Sequence, residues 1–130
     1  MPDNIDNISY EYAIIRVVPK VEREEFINVG VIVYAKQKRY LGMQYHIDEK
    51  RLAAFGEQID IELITNYLKA WELVCQGGRN SGAIGSLEMH VRFRWLTADR
   101  SSIIQSSATH PGLCSDPALV LADIFERYVL

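Results

Sequence analysis

Hydrophobic and polar positions change period along the chain, and the changes mark its elements. Tyr10 to Val18 (Y-E-Y-A-I-I-R-V-V) is rich in aromatic and β-branched residues and closes at Pro19, which predicts a strand. Phe26 to Ala35 is almost continuously apolar, as in a central strand covered on both faces. Lys36-Gln37-Lys38-Arg39 forms a polar tip, and Tyr40 to Ile47 returns as a third strand, so the pair should be an antiparallel hairpin. Tyr40, Gly42, Gln44 and His46 fall on one face of it, and Leu41, Met43, Tyr45 and Ile47 on the other.

Helical spacing follows. Asp48 is placed to cap a short helix through Ala54, with Gly56 as its stop. Asp60 caps a longer one, in which Ile61, Ile64, Leu68, Trp71 and Cys75 form an apolar stripe that ends at Gly77-Gly78. Arg79 to Ser86 has the composition of a flexible loop. Across Leu87 to Leu96, Met89, Val91, Phe93 and Trp95 alternate with Glu88, His90, Arg92 and Arg94; this favours a strand, with a helix as the open alternative. Ser101 to Ser107 is a further strand candidate, and His110-Pro111-Gly112 reads as a turn. Asp116-Pro117 is the clearest boundary, an N-cap carboxylate followed by proline at the first helical position. The helix it opens, residues 117–130, carries only Asp123, Glu126 and Arg127 as charges, so it must be covered by the core or by a second subunit.

Strands, then helices, then a last strand region and a last helix predict an α+β domain. Its antiparallel β-sheet should have about three to five strands with helices packed on one side. The length, 130 residues, suits one domain over 1–130, with residues 1–8 as a disordered N-terminal tail. That tail has neither a basic nor an apolar region, so it is not read as a signal peptide. No apolar run is long enough to span a bilayer. Cys75 and Cys114 stand alone without CxxC spacing, which fits reduced thiols and a cytoplasmic chain.

Charge narrows the partners. The net charge of -3 disfavours nucleic acid. Residues 1–35 hold the whole deficit, three cations against six anions, and could steer a basic partner. The stretch from His90 to His110 carries a local surplus of +2. Phe93 and Trp95 interleaved with Arg92 and Arg94 have the look of a stacking surface for single strands, but the net charge favours a core role.

Several segments resemble the uncharacterised bacterial family called domain of unknown function 3037. They are Tyr12 to Pro19, Glu22 to Val31, Phe93-Arg94-Trp95-Leu96-Thr97-Ala98, Arg100-Ser101, Gln105, His110, Gly112-Leu113 and Asp116-Pro117. Departures from the family pattern at Asp99 and near Glu24 fall in loops. The family carries no established activity. The resemblance implies a bacterial protein, often encoded beside a kinase-like protein similar to the HipA toxins.

Three groups of polar residues stand out. Arg16 interrupts an apolar strand, so its guanidinium needs either a structural acid such as Glu25 or an anionic ligand or partner carboxylate. Asn28 and Gly30 interrupt the central strand near Glu25. They mark a bulge or a close backbone approach, or, functionally, a substrate donor beside a general base, Glu25. Arg94, Arg100, Ser101 and His110 could converge on a phosphate or carboxylate, with His110 the second weak catalytic candidate; otherwise Arg100 and His110 hold backbone carbonyls in a solvated loop. No spacing implies a metal or other cofactor, and neither cysteine has an adjacent base.

Two readings follow. One is a non-catalytic protein-interaction or regulatory domain, accessory to a HipA-like kinase neighbour or self-associating through the 117–130 helix. The other is a small enzyme or receptor for a phosphorylated or nucleotide-like ligand, held by an Arg/Glu/Asn/His cluster. The lack of a complete catalytic constellation leans against the enzyme.

Overall fold

The computed structural model describes residues 8–19, 24–55 and 59–130. The expected tail (all but Ile8), residues 20–23 between the first two expected strands, and the Gly56 stop lie outside the described residues.

Strand β1 (Ile8–Val17) is the spine of the sheet. It pairs antiparallel with β2 (Ile27–Ala35), which pairs antiparallel with β3 (Tyr40–Tyr45) across a 3₁₀ turn at Lys36–Lys38. The other edge of β1 takes two short strands end to end. β4 (Ile104–Ser106) lies along Ile15–Val17, and β5 (His110–Cys114) lies along Ile8–Tyr12. Ser107 bridges the gap between them: its N–H donates to the Ile14 carbonyl at 2.8 Å, and its hydroxyl oxygen accepts from the Ile14 N–H at 2.8 Å.

The α+β class and the antiparallel sheet are as the pattern predicts. The helices, however, are divided between two faces. On one face lie α1 (Glu49–Ala53), α2 (Ile61–Gln76), α3 (Gly82–Gly85) and α4 (Met89–Thr97). Leu52, Ile64, Leu68, Trp71, Phe93 and Leu96 from these helices meet Ile15, Val17, Val29 and Ile32 of the sheet. The opposite face is covered by α5 (Pro117–Tyr128), whose Leu121, Ile124 and Phe125, with Val129, pack on Ile14, Val31 and Val33. Each such side chain contributes about 2 kcal/mol of burial. The apolar stripe of α5 is therefore used on the chain's own sheet, and self-association through it would have to use the outward Leu119, Tyr128 and Leu130.

A bulge sets which residue faces where. Ile15 pairs with Gly30 but Arg16 pairs with Asn28, so Val29 is the extra residue. The shift turns Val29 toward α2 and Asn28 toward α5. Gly30 is required there by close approach, because a Cβ would come within 2.9 Å of the Gln44 carbonyl oxygen.

Three local expectations are corrected. Residues 89–97 are helix, not strand: Phe93 and Leu96 turn toward the core at helical spacing, Arg92 joins them, and Val91 and Trp95 face outward. Arg79 to Ser86 is not a plain loop, since a 3₁₀ turn over Arg79–Ser81 leads into α3. His110-Pro111-Gly112 is strand. Pro111 is tolerated because β5 is an edge, where an N–H need not be supplied. The helix caps behave as read: Asp48, Asp60 and Asp116 each accept backbone N–H bonds from the first turn they open.

Candidate functional site

The sequence candidates separate into three places. Arg16 and Asn28 sit side by side on adjacent strands, on the α5 face. The Asn28 Nδ2 donates to the Tyr128 carbonyl at 3.1 Å, and Arg51 Nη1 donates to the Val129 carbonyl at 3.3 Å, so both serve the C-terminal end of α5. The Arg16 guanidinium lies over the Phe26 ring at 4.1 Å. Two buried atoms here have no hydrogen-bond partner among the described residues, Arg16 Nε and Asn28 Oδ1. One is a donor and the other an acceptor. Glu25 is exposed, in the segment ahead of β2.

Arg94, Arg100, Ser101 and His110 do not converge. Arg100 folds back on the end of α4, donating to the carbonyls of Leu96 (3.2 Å) and Trp95, and its guanidinium lies 5.0 Å from the Trp71 ring and 4.8 Å from the Trp95 ring. Burial lowers its pKa. Ser101 follows it and is exposed. His110 is on the α5 face, its ring 5.2 Å from that of Tyr12. Arg94 is exposed on the other side of the sheet, where it lines a cleft.

That cleft is one of two that adjoin between α4, the hairpin tip and the start of β1. One, of about 520 Å³, lies between Leu87–Arg92 and the Lys36–Arg39 tip. The other, of about 450 Å³, runs past Arg94 to Ser9–Glu11 and Pro111-Gly112. Tyr34, Lys36 and His90 line both. His90 and Arg94 lie one helical turn apart, and His90 Nδ1 is 3.4 Å from Glu88 Oε2. Lys36, Arg39 and His90 were not singled out from the sequence. The visible signal was three cations among the four residues of the tip, together with the i,i+4 spacing of His90 and Arg94, which only a helix would bring to one side.

A second arginine was also missed. Arg92 is buried and donates through Nη1 to the carbonyls of Val74 and Cys75, both at 2.8 Å, and through Nε to Leu87 at 3.0 Å. Read as a strand, its segment put it on a polar face; as helix it points inward and closes the C-terminal end of α2. Next to it, burial pushes the Cys75 thiol up to about 12. Cys114 is buried on the α5 side of the sheet. Among the described residues no three His, Cys, Asp or Glu side chains gather as a metal site. No helix among them is long and apolar enough to cross a membrane.

Comparison with known proteins places the chain. The family model described as "Protein of unknown function (DUF3037)" matches residues 12–129, and the chain belongs to that family. Neither the curated proteins nor the solved structures contain a significant match.

Proposed function

We propose that this chain is a non-catalytic protein-interaction domain. The observation that carries the reading is an outward stripe along and just ahead of α4. Leu87, Val91 and Trp95, spaced i, i+4, i+8, are 43%, 38% and 36% exposed. Arg100 stacks on Trp95 and Trp71, and Tyr67 of α2 lies close enough to Arg100 to act on its charge. Tryptophan, tyrosine and arginine on one apolar patch are the residue types that dominate binding at protein interfaces. The dispersal of the polar candidates supports the same reading, because Arg16 lies on the α5 face of the sheet and Arg100 is packed against Trp71 and Trp95 on the other. A kinase-like neighbour of the kind the family resemblance implies would be a fitting partner, and a cytoplasmic setting suits the two buried thiols.

The test is native mass spectrometry on tagged protein drawn gently from its host, wild type beside Val91→Glu. We expect the wild type to carry a stoichiometric second protein and the variant to lose it with its melting temperature unchanged. The competing receptor reading is favoured by the orphaned Arg16 Nε and Asn28 Oδ1. A bare chain with a small anionic adduct, lost in Arg16→Ala, would establish it instead.

A further inference from the structure

We infer that the paired clefts beside α4 form one trough that receives an acidic peptide segment of the partner. This rests on the interaction reading and names the chemistry of what is bound. The chain is anionic overall, at -3, yet this trough gathers Lys36 and Arg39 from the hairpin tip and His90 and Arg94 from one side of α4. Two elements distant in sequence bring this lysine, these two arginines and this histidine together. Arg92 also borders the trough, but its bonds to the end of α2 commit it elsewhere.

The walls select among anions. Each cleft also holds one carboxylate, Glu88 in the first and Glu11 in the second. A polyphosphate chain would be repelled at both positions, and the net charge would add to that repulsion. A peptide can set acidic side chains against Lys36, Arg39 and Arg94 and keep neutral or basic groups opposite Glu11 and Glu88. The lining also offers apolar surface, from Tyr34, Leu87 and Met89, suited to an aliphatic side chain between the acids. Leu87 belongs both to the trough and to the outward stripe, so one partner segment could cover the two without a break.

The probe is a fluorescein-labelled peptide of four Glu-Glu-Leu repeats, titrated with the full chain at low salt and followed by anisotropy. We expect saturable binding that salt weakens. Lys36→Glu combined with Arg94→Glu should weaken it about tenfold, and Lys36→Gln combined with Arg94→Gln about threefold. Both residues are exposed, so circular dichroism should be unchanged, and the Gln pair keeps the test open if the Glu pair folds poorly. Absence of binding, equal binding by the Gln pair and the wild type, or tighter binding of an oligo-dT strand of similar length would overturn the inference. The two proposals fail separately. If the Gln pair binds the peptide as tightly as the wild type while Val91→Glu loses the native partner, the trough is wrong and the interaction domain stands. If no partner is found yet the peptide binds through Lys36 and Arg94, the trough stands alone.

Discussion

At the end of α2, the carbonyls of Val74 and Cys75 point at a buried guanidinium, and Arg92 meets both while its Nε takes the Leu87 carbonyl. At the end of α5, the carbonyls of Tyr128 and Val129 are met by Asn28 and Arg51, and Arg16 lies beside Asn28 with its Nε unbonded. Both regions face the same problem, since a helix leaves its last carbonyls without partners and carries partial negative charge there. At α2 one arginine is consumed in solving it. Even Gly77 is fitted to that solution, because a Cβ there would sit 3.0 Å from Arg92 Nη1 and its φ is +73°. At α5 two neighbours suffice, and Arg16 lies over the Phe26 ring with its Nε unbonded among the described residues. An arginine among apolar residues is thus structural or unspent according to whether its donors find carbonyls, and sequence position alone does not separate the cases.

Arg92 should give the largest effect. Arg92→Ala strands two carbonyls at the end of α2 and a third at Leu87, and should cost about 3 kcal/mol. That corresponds to a fall of about 10 °C in melting temperature. Arg92→Lys should recover little, because one ammonium cannot reach three carbonyls set around a planar fork. Urea unfolding measures both. A loss under about 1 kcal/mol would mean that water replaces the guanidinium and that the two helix ends are equivalent after all.

The same region sets a pH dependence. Cys75 has an ordinary thiol value of 9.0 and is raised by burial to about 12, with Arg92 acting in the opposite direction but less strongly. The folded chain therefore keeps a proton that the unfolded chain releases. The stabilisation is whole below pH 9.0 and is lost as pH rises from there toward about 12. Tyr10, Tyr40 and Tyr45, also raised by burial, act in the same sense. Cys75→Ala should make the alkaline fall in stability shallower without abolishing it, and iodoacetamide should label Cys75 only in urea. Rapid labelling of the native protein would show that the end of α2 opens.

The elements that could be read from sequence are those fixed by local chemistry. Asp60 and Asp116-Pro117 announce their helices because the cap and the first turn are neighbours in the chain. The polar tip at Lys36–Arg39 announces a hairpin for the same reason. The misread elements depend on what lies across from them. Residues 89–97 alternate like a strand until Arg92 is allowed inside, and only the carbonyls of α2 make that affordable. His110-Pro111-Gly112 becomes strand only because β1 offers an edge to it. Consecutive apolar residues, Ile14-Ile15 and Val31-Ile32, already required cover on both faces of the sheet, yet nothing local says that α5 supplies the second. Arg16 and Asn28 were visible as polar residues in apolar strands. The trough was not, because Glu11, Lys36 and Arg94 are brought together only by the completed sheet and α4.

The smallest effect is expected at Arg16, and it bears hardest on the comparison. Arg16→Met keeps an unbranched chain against Phe26 and removes a partly buried charge whose Nε is unbonded. Stability should change by less than about 1 kcal/mol in either direction. Asn28→Ala, in contrast, removes the donor to the Tyr128 carbonyl and should cost about 1 kcal/mol. The order Arg92→Ala, then Asn28→Ala, then Arg16→Met is what the hydrogen bonds dictate. If Arg16→Met proved as costly as Arg92→Ala, Arg16 would be bonded in solution, and it would join Arg92 as a piece of the scaffold. If it proves neutral, the fold has no need of that guanidinium, and a role for Arg16 in binding gains.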